Sequence, residues 1–197
     1  MVRLFVAVTP PAPVLDHLAA AVADVRARCP ADLNATLTWT LPAQWHLTLA
    51  FLGEVDDATA DRLGPRLARL AGRHQPLQLA VAGAGGFGSA RRARVLWAGV
   101  QGDREPLRRL AQGVTAAAGR ERIEVAGGRG YRPHLTLARA RQPTDVRGLT
   151  ERLAAYEGPE WTAGSYALVR SRLAAGPDGR AVHEPLTSWA FGSARTR

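Results

Sequence analysis

A chain of 197 residues, 46% of them hydrophobic, is long enough to bury a sizeable core as one domain or as two close lobes. Its single cysteine, Cys29, excludes an internal disulfide, a thiolate zinc cluster and an iron-sulfur site, and leaves that side chain the part of a small buried apolar residue. All 26 basic residues are arginine, and the net charge of +9 favours phosphate-bearing partners, nucleic acid first, while the missing lysine excludes a lysyl adenylate, a Schiff base and a P-loop lysine.

The apolar run from Leu4 to Val8 is too short for a membrane span or a signal segment, and Pro10, Pro11 and Pro13 end it, so no membrane attachment is expected and the cytoplasm is the default compartment. Residues 3–8 read as a buried strand. Leu15, Leu18, Ala19, Val22 and Val25 recur at helical spacing over residues 14–28, and Pro30 closes that segment. Residues 36–40 are β-prone, and a strand bearing His46 and Thr48 follows the Leu41-Pro42 break, so a hairpin or neighbouring strands are expected here. Gly53 ends that strand. Asp56 or Asp57 caps a helix to about Gly72, with Leu63, Leu67 and Leu70 inside and Arg62, Arg66, Arg69 and Arg73 on a solvated face.

Residues 77–82 and 94–100 read as two strands separated by a loop over 83–92. That loop satisfies Gly-x-Gly-x-x-Gly, but a dinucleotide site needs a helix directly after it to receive the pyrophosphate, and Arg94-Val95-Leu96-Trp97 continues as a strand. A mobile glycine-rich rim carrying Arg91 and Arg92, able to close over an anionic substrate, is the better reading. Asp103 caps a third helix, with Leu107, Leu110, Ala111 and Val114 inside, ending near Gly119; a basic, glycine-rich loop over 122–132 leads to Pro133 and the next strand. A fourth helix starts at Thr144 or Asp145, with Val146, Leu149, Leu153 and Tyr156 apolar. Residues 161–173 form one long strand or a pair, Gly176-Pro177-Asp178-Gly179 a turn, and 180–191 a last strand before a frayed tail. The order, βαββαββ then αβαββ, is that of an α+β chain with mostly antiparallel pairing.

One pentapeptide occurs twice. His46-Leu47-Thr48-Leu49-Ala50 returns 88 residues later as His134-Leu135-Thr136-Leu137-Ala138, which points to matching strands of two similar lobes. Alternation along a strand puts each histidine and its threonine on one face, about 7 Å apart, with the leucines on the other. Two such strands facing one cleft supply two groups that titrate near neutrality and two hydroxyl donors: an acid, a base and a cradle for an anion. A lone strand histidine is usually structural; the same neighbours in two repeats argue against that. His17 and His74 are expected at the surface, and His183 has no assignment.

The paired motifs resemble those of the two-histidine phosphoesterases. Arg3 to Val8, His46 to Gly53, Arg94 to Val100, Arg132 to Arg139 and Ser171-x-Leu173 are together similar to the bacterial RNA 2',3'-cyclic phosphodiesterases, also known as LigT-like proteins or 2'-5' RNA ligases. The resemblance implies a single bilobal domain over 1–197, with two pseudo-symmetric lobes, each a mostly antiparallel sheet backed by helices, and an active-site groove between them. It implies a metal- and cofactor-independent hydrolase acting on RNA with a 2',3'-cyclic phosphate end and leaving a 2'-phosphomonoester; a monomer is expected. The residue types leave the order of acid and base open; the resemblance assigns His46 as proton donor and His134 as proton acceptor, with Thr48 and Thr136 on the non-bridging oxygens. Arg139, nominally on the opposite strand face unless a bulge turns it, is a phosphate-binding candidate on the same ground, and Tyr131 a base-stacking candidate. Many relatives carry an aromatic residue after the glycine turn, where this chain has Arg180-Ala181-Val182-His183. The alternatives are 2'-5' ligation by reversal of the same transesterification, and a non-catalytic arginine-rich RNA-binding module.

Overall fold

Val, Leu and Phe crowd the first strand, β1 (Val2–Val8), and the prolines behind it open helix α1 (Ala12–Ala27), which buries Val14, Leu18, Val22 and Val25 at three- and four-residue intervals. The structure is a computed structural model, and it describes residues 1–125, 130–176 and 179–192. A short α2 (Ala31–Thr36) takes part of the segment whose composition suggested a strand, leaving β2 (Leu37–Trp39); a 3-10 turn (Pro42–Gln44) then leads to β3 (Leu47–Val55). Asp56 caps α3 (Asp57–Ala71), its carboxylate accepting from the Thr59 N–H at 2.8 Å. There follow β4 (Leu77–Phe87), β5 (Ala93–Gly102), α4 (Arg104–Arg120), β6 (His134–Thr144), α5 (Arg147–Arg152), β7 (Trp161–Ala163), β8 (Ser165–Arg172) and β9 (Val182–Ala190).

The strands form two antiparallel sheets, in the orders β3-β1-β8-β9 and β2-β6-β5-β4-β7. Four strands of the second, β6-β5-β4-β7, repeat the pattern of the first, with β2 added outside β6. The α+β class and the two related sheets expected from the repeat are both present, but the lobes are not sequential halves. β2 crosses into the second sheet, and β8 and β9 return to the first. One buried cluster contains Leu4 and Leu47 of the first sheet and Leu96 and Leu135 of the second, so the two share a core.

Several local expectations are corrected. β2 and β3 are neither a hairpin nor neighbours, because the chain changes sheets between them; over 161–173 the expected pair is present, and it is divided between the sheets in the same way. β3 runs past Gly53, which takes a positive φ of 70° inside the strand. The glycine-rich segment is strand, not a rim: Gly85 pairs with Trp97 and Gly86 with Leu96. A Cβ at Gly85 would lie 2.2 Å from the Trp97 ring, so the absence of side chains lets the indole lie against the strand. Pairing of Thr144 with Ala93 keeps that residue in β6 and shortens α5, although Val146, Leu149 and Leu153 are buried as expected. Arg62 and Arg66 are not merely solvated; both pair with Glu121 beyond α4. Cys29 is half-buried at the edge of the core. Pro177 and Asp178 of the expected turn, residues 126–129 of the basic loop and the tail 193–197 lie outside the described residues. Among the described residues no helix is long and apolar enough to cross a membrane.

Candidate active site

The two copies of the pentapeptide fold alike down to an irregularity. Thr48 pairs with Ala7 and Ala50 with Val6, so Leu49 is an extra residue in β3; Thr136 pairs with Trp97 and Ala138 with Leu96, so Leu137 is an extra residue in β6. A bulge shifts the alternation of faces by one residue. Phe51 and Arg139, each five residues after its histidine, are thereby brought to the face of the threonines, and both line the cavity there. The bulge at Leu137 is what turns Arg139 toward the site.

The imidazoles are held in matching ways. His46 Nδ1 is 2.7 Å from the Gln44 carbonyl and His134 Nδ1 is 2.8 Å from the Arg132 carbonyl, in both cases two residues upstream. A carbonyl only accepts, so each Nδ1 carries the hydrogen and donates it, leaving each Nε2 for proton exchange. Aromatic rings fix the planes. His46 stacks on Phe5 at 4.6 Å and 25°, while His134 meets the edge of Phe87 at 4.6 Å and 89°. Trp97, seated on the glycines of β4, is 6.5 Å from His134 and lies under the Arg132 guanidinium.

A cavity of about 680 Å³ opens between the sheets, lined among others by His46, Thr48, Thr136, Phe51, Arg139 and His183. His134 is not in its lining, yet it is near enough that its charge is felt at His46, and the Arg139 charge is felt at His46, His134 and His183 alike. Burial, followed by the neighbouring His183, pushes His46 down to about 4; the hydrogen bond to Gln44 acts in the other direction. His134 is also lowered, first by burial, against the opposing pull of the Arg132 carbonyl. Burial thus disfavours the charged form of both imidazoles, and the Arg139 guanidinium beside them acts in the same direction.

Other expected residues fall elsewhere. Arg91 and Arg92 are exposed at the β4–β5 turn and do not line the cavity; Arg91 faces Asp145, whose carboxyl it helps to hold down. Tyr131 is half-buried, with its hydroxyl enclosed, and it does not line the cavity. His17 is exposed and bonded to the Tyr156 hydroxyl at 2.9 Å, and His74 is half-buried near Phe191. Neither belongs to the site.

A family model described as the 2'-5' RNA ligase superfamily matches residues 14–174. The chain belongs to that superfamily. Over 145 residues it is 30% identical to a protein of Aquifex aeolicus named RNA 2',3'-cyclic phosphodiesterase, covering 72% of this chain and 77% of that one. The solved structure of TT0787 from Thermus thermophilus superposes with a TM-score of 0.74 at 27% identity, covering 98% of this chain and 99% of that chain. The E. coli LigT structure in complex with 3'-AMP superposes with a TM-score of 0.72 at 25% identity, covering 96% and 98%. The 2'-5' RNA ligase superfamily is thus the one its paired motifs resemble.

Within that family frame, this chain's site has members that the repeat alone did not announce. His183, on β9, stands edge-on to His46 at 5.2 Å and to Phe5 at 5.1 Å, and its Nδ1 is buried with no hydrogen-bond partner among the described residues. Ser171 and Leu173 line the cavity from the end of β8. The signal available in the sequence for Phe51 and Arg139 was their equal offset from the two histidines; nothing local marked His183.

Proposed function

We propose that the protein hydrolyses the 2',3'-cyclic phosphate at the end of an RNA to a 2'-phosphomonoester, with His46 as acid and His134 as base. Water attacks phosphorus as it gives a proton to His134 Nε2, a P–O bond forms, the bond to the ribose 3'-oxygen breaks, and that oxygen takes the proton held on His46 Nε2. Thr48 and Thr136 donate to the non-bridging oxygens, and Arg139 offsets the charge that gathers there. The observation that carries this reading is the matched pair of Nδ1-to-carbonyl hydrogen bonds, which leaves Nε2 as the proton-exchanging nitrogen of each imidazole. The name of the Aquifex aeolicus relative supports the hydrolysis, and the 3'-AMP in the LigT complex supports a nucleotide phosphate as the ligand class. Exposed Phe51 offers a face on which the terminal base stacks.

Both imidazoles come from one chain, and we place the activity in the cytoplasm as that of a monomer. Ligation to a 5'-hydroxyl is the same path run backwards; excess water favours hydrolysis unless the two RNA ends are held together. The test is RNA ending in 2',3'-cyclic phosphate, incubated with EDTA and followed by phosphorus NMR. The expected product is the 2'-monoester, with a loss of at least about a hundredfold in His46→Ala and in His134→Ala. Undiminished turnover in either variant would reject the assignment and leave the RNA-binding module.

A further inference from the structure

We propose that Thr40 is a positioning residue that sets the span between the two histidine motifs, acting through Trp45. This rests on the reading that both imidazoles serve one phosphate. Thr40 stands where the chain leaves β2 in the second sheet and crosses toward β3 in the first. Its N–H donates to the Leu137 carbonyl at 2.9 Å. Its hydroxyl donates to the Thr136 carbonyl at 2.6 Å, shared with that of Leu137 at 2.9 Å, and accepts from the Trp45 indole N–H at 2.8 Å. Trp45 is 2% exposed and directly precedes His46. Thr136 is the hydroxyl residue of the other motif, and Leu137 is its bulge. One side chain therefore joins the neighbour of the first imidazole to the backbone of the second motif.

The remainder of the crossover is already rigid. Gln44 closes the 3-10 turn, its Oε1 accepting from the Leu41 N–H at 2.9 Å; its Nε2 donates to the Ala181 carbonyl at 2.8 Å, and its own carbonyl holds His46 Nδ1. His46 thus moves with Trp45, and Thr40 registers that unit against β6. Only a short side chain that both donates and accepts can make this tie, which threonine and serine do and valine does not. The transfer needs an acid and a base on opposite sides of one phosphorus, and a displacement of about 1 Å costs on the order of a hundredfold in rate.

The experiment compares Thr40→Val, Thr40→Ser and Trp45→Phe, with rates on 2',3'-cyclic phosphate RNA referred to the folded fraction, and titrates each protein with inorganic phosphate while following the His46 and His134 ring resonances. The expected result is a kcat lower by about ten- to a hundredfold in Thr40→Val, with KM within about threefold, and near wild-type kcat in Thr40→Ser. Trp45→Phe falls as far, and the double variant falls no further, because both remove one link. Phosphate shifts both rings with one common affinity in the wild type; in Thr40→Val the affinity is still common to both rings, but the shift of one ring shrinks relative to the other because the two no longer flank the anion equally. Wild-type kcat in Thr40→Val, a loss shared by Thr40→Ser, full additivity of the two variants, or an unchanged ratio of the two ring shifts in Thr40→Val would overturn the proposal. Absence of turnover in the wild type would reject the hydrolase reading instead, and the phosphate titration would still decide the role of Thr40.

Discussion

Phe51 and Arg139 occupy equivalent places in the two lobes: each follows its histidine by five residues, and a bulge one residue beyond the intervening threonine turns each into the cavity. Pseudo-symmetry of the paired motifs thus ends at these two positions, where one lobe presents a ring to the cavity and the other a guanidinium. A nucleoside cyclic phosphate has the same asymmetry, a flat base at one end and an anion at the other.

Division of labour between these two side chains is open to measurement. Phe51→Ala is expected to weaken substrate binding by about 1–3 kcal/mol, roughly 5- to 150-fold in KM, because it removes a stacking face. Arg139→Gln is expected to lower kcat and kcat/KM together, because the charge it neutralises is greatest in the transition state. Steady-state kinetics on a cyclic mononucleotide, repeated at two salt concentrations, separates these effects; equal KM changes from both substitutions would contradict the assignment.

The buried imidazoles are expected to set the pH dependence. With His46 pushed down to about 4 and His134 also below its ordinary value, the bell for kcat/KM, which reports the empty enzyme, is expected to lie on the acid side of neutrality. A bound anion favours the imidazolium and raises both groups, so the bell for kcat should sit at higher pH. The same shift bears on stability. Between about 4 and 6.5 the unfolded chain binds a proton at residue 46 that the folded chain refuses, so this contribution to folding is present above pH 6.5 and is lost as pH falls toward 4. Denaturant titrations at pH 7 and pH 4.5 should show a lower midpoint at the acid value.

His183 is a second like charge beside the first imidazole when it is protonated. His183→Phe keeps a ring against Phe5 and removes that charge, and it is expected to raise the proton affinity of His46 and move the acid limb of kcat/KM upward. An unchanged acid limb would mean that the contact is packing only.

Gly85 supports His134 through Trp97. A methyl group at position 85 would fall 2.2 Å from the indole, so Gly85→Ala is expected to displace Trp97 and cost about 1–3 kcal/mol of stability, as overpacking does. Because Trp97 borders His134, the His134 ring resonance should shift while that of His46 does not. Stability and both resonances unchanged would show that the strand yields instead.

The amino-acid sequence by itself determined the chemistry and its duplication. A repeated His-x-Thr pattern, arginine without lysine and a single cysteine are readable without coordinates, and they lead to two imidazoles, two hydroxyls and an anion. Local pattern also placed most helices, because burial at three- and four-residue spacing is a short-range property. The tertiary structure alone decided which strands are neighbours and which side chains share a face. β2 and β3 are close in sequence yet lie in different sheets, the glycines of β4 are strand because an indole must lie on them, and Phe51 and Arg139 reach the cavity because a bulge reverses the alternation on which a reading by period depends. His183 and Thr40 join the site by long-range pairing, which leaves no periodic mark in the chain. Pairing of that kind is fixed by packing between residues far apart in sequence, and no window along the chain contains both partners.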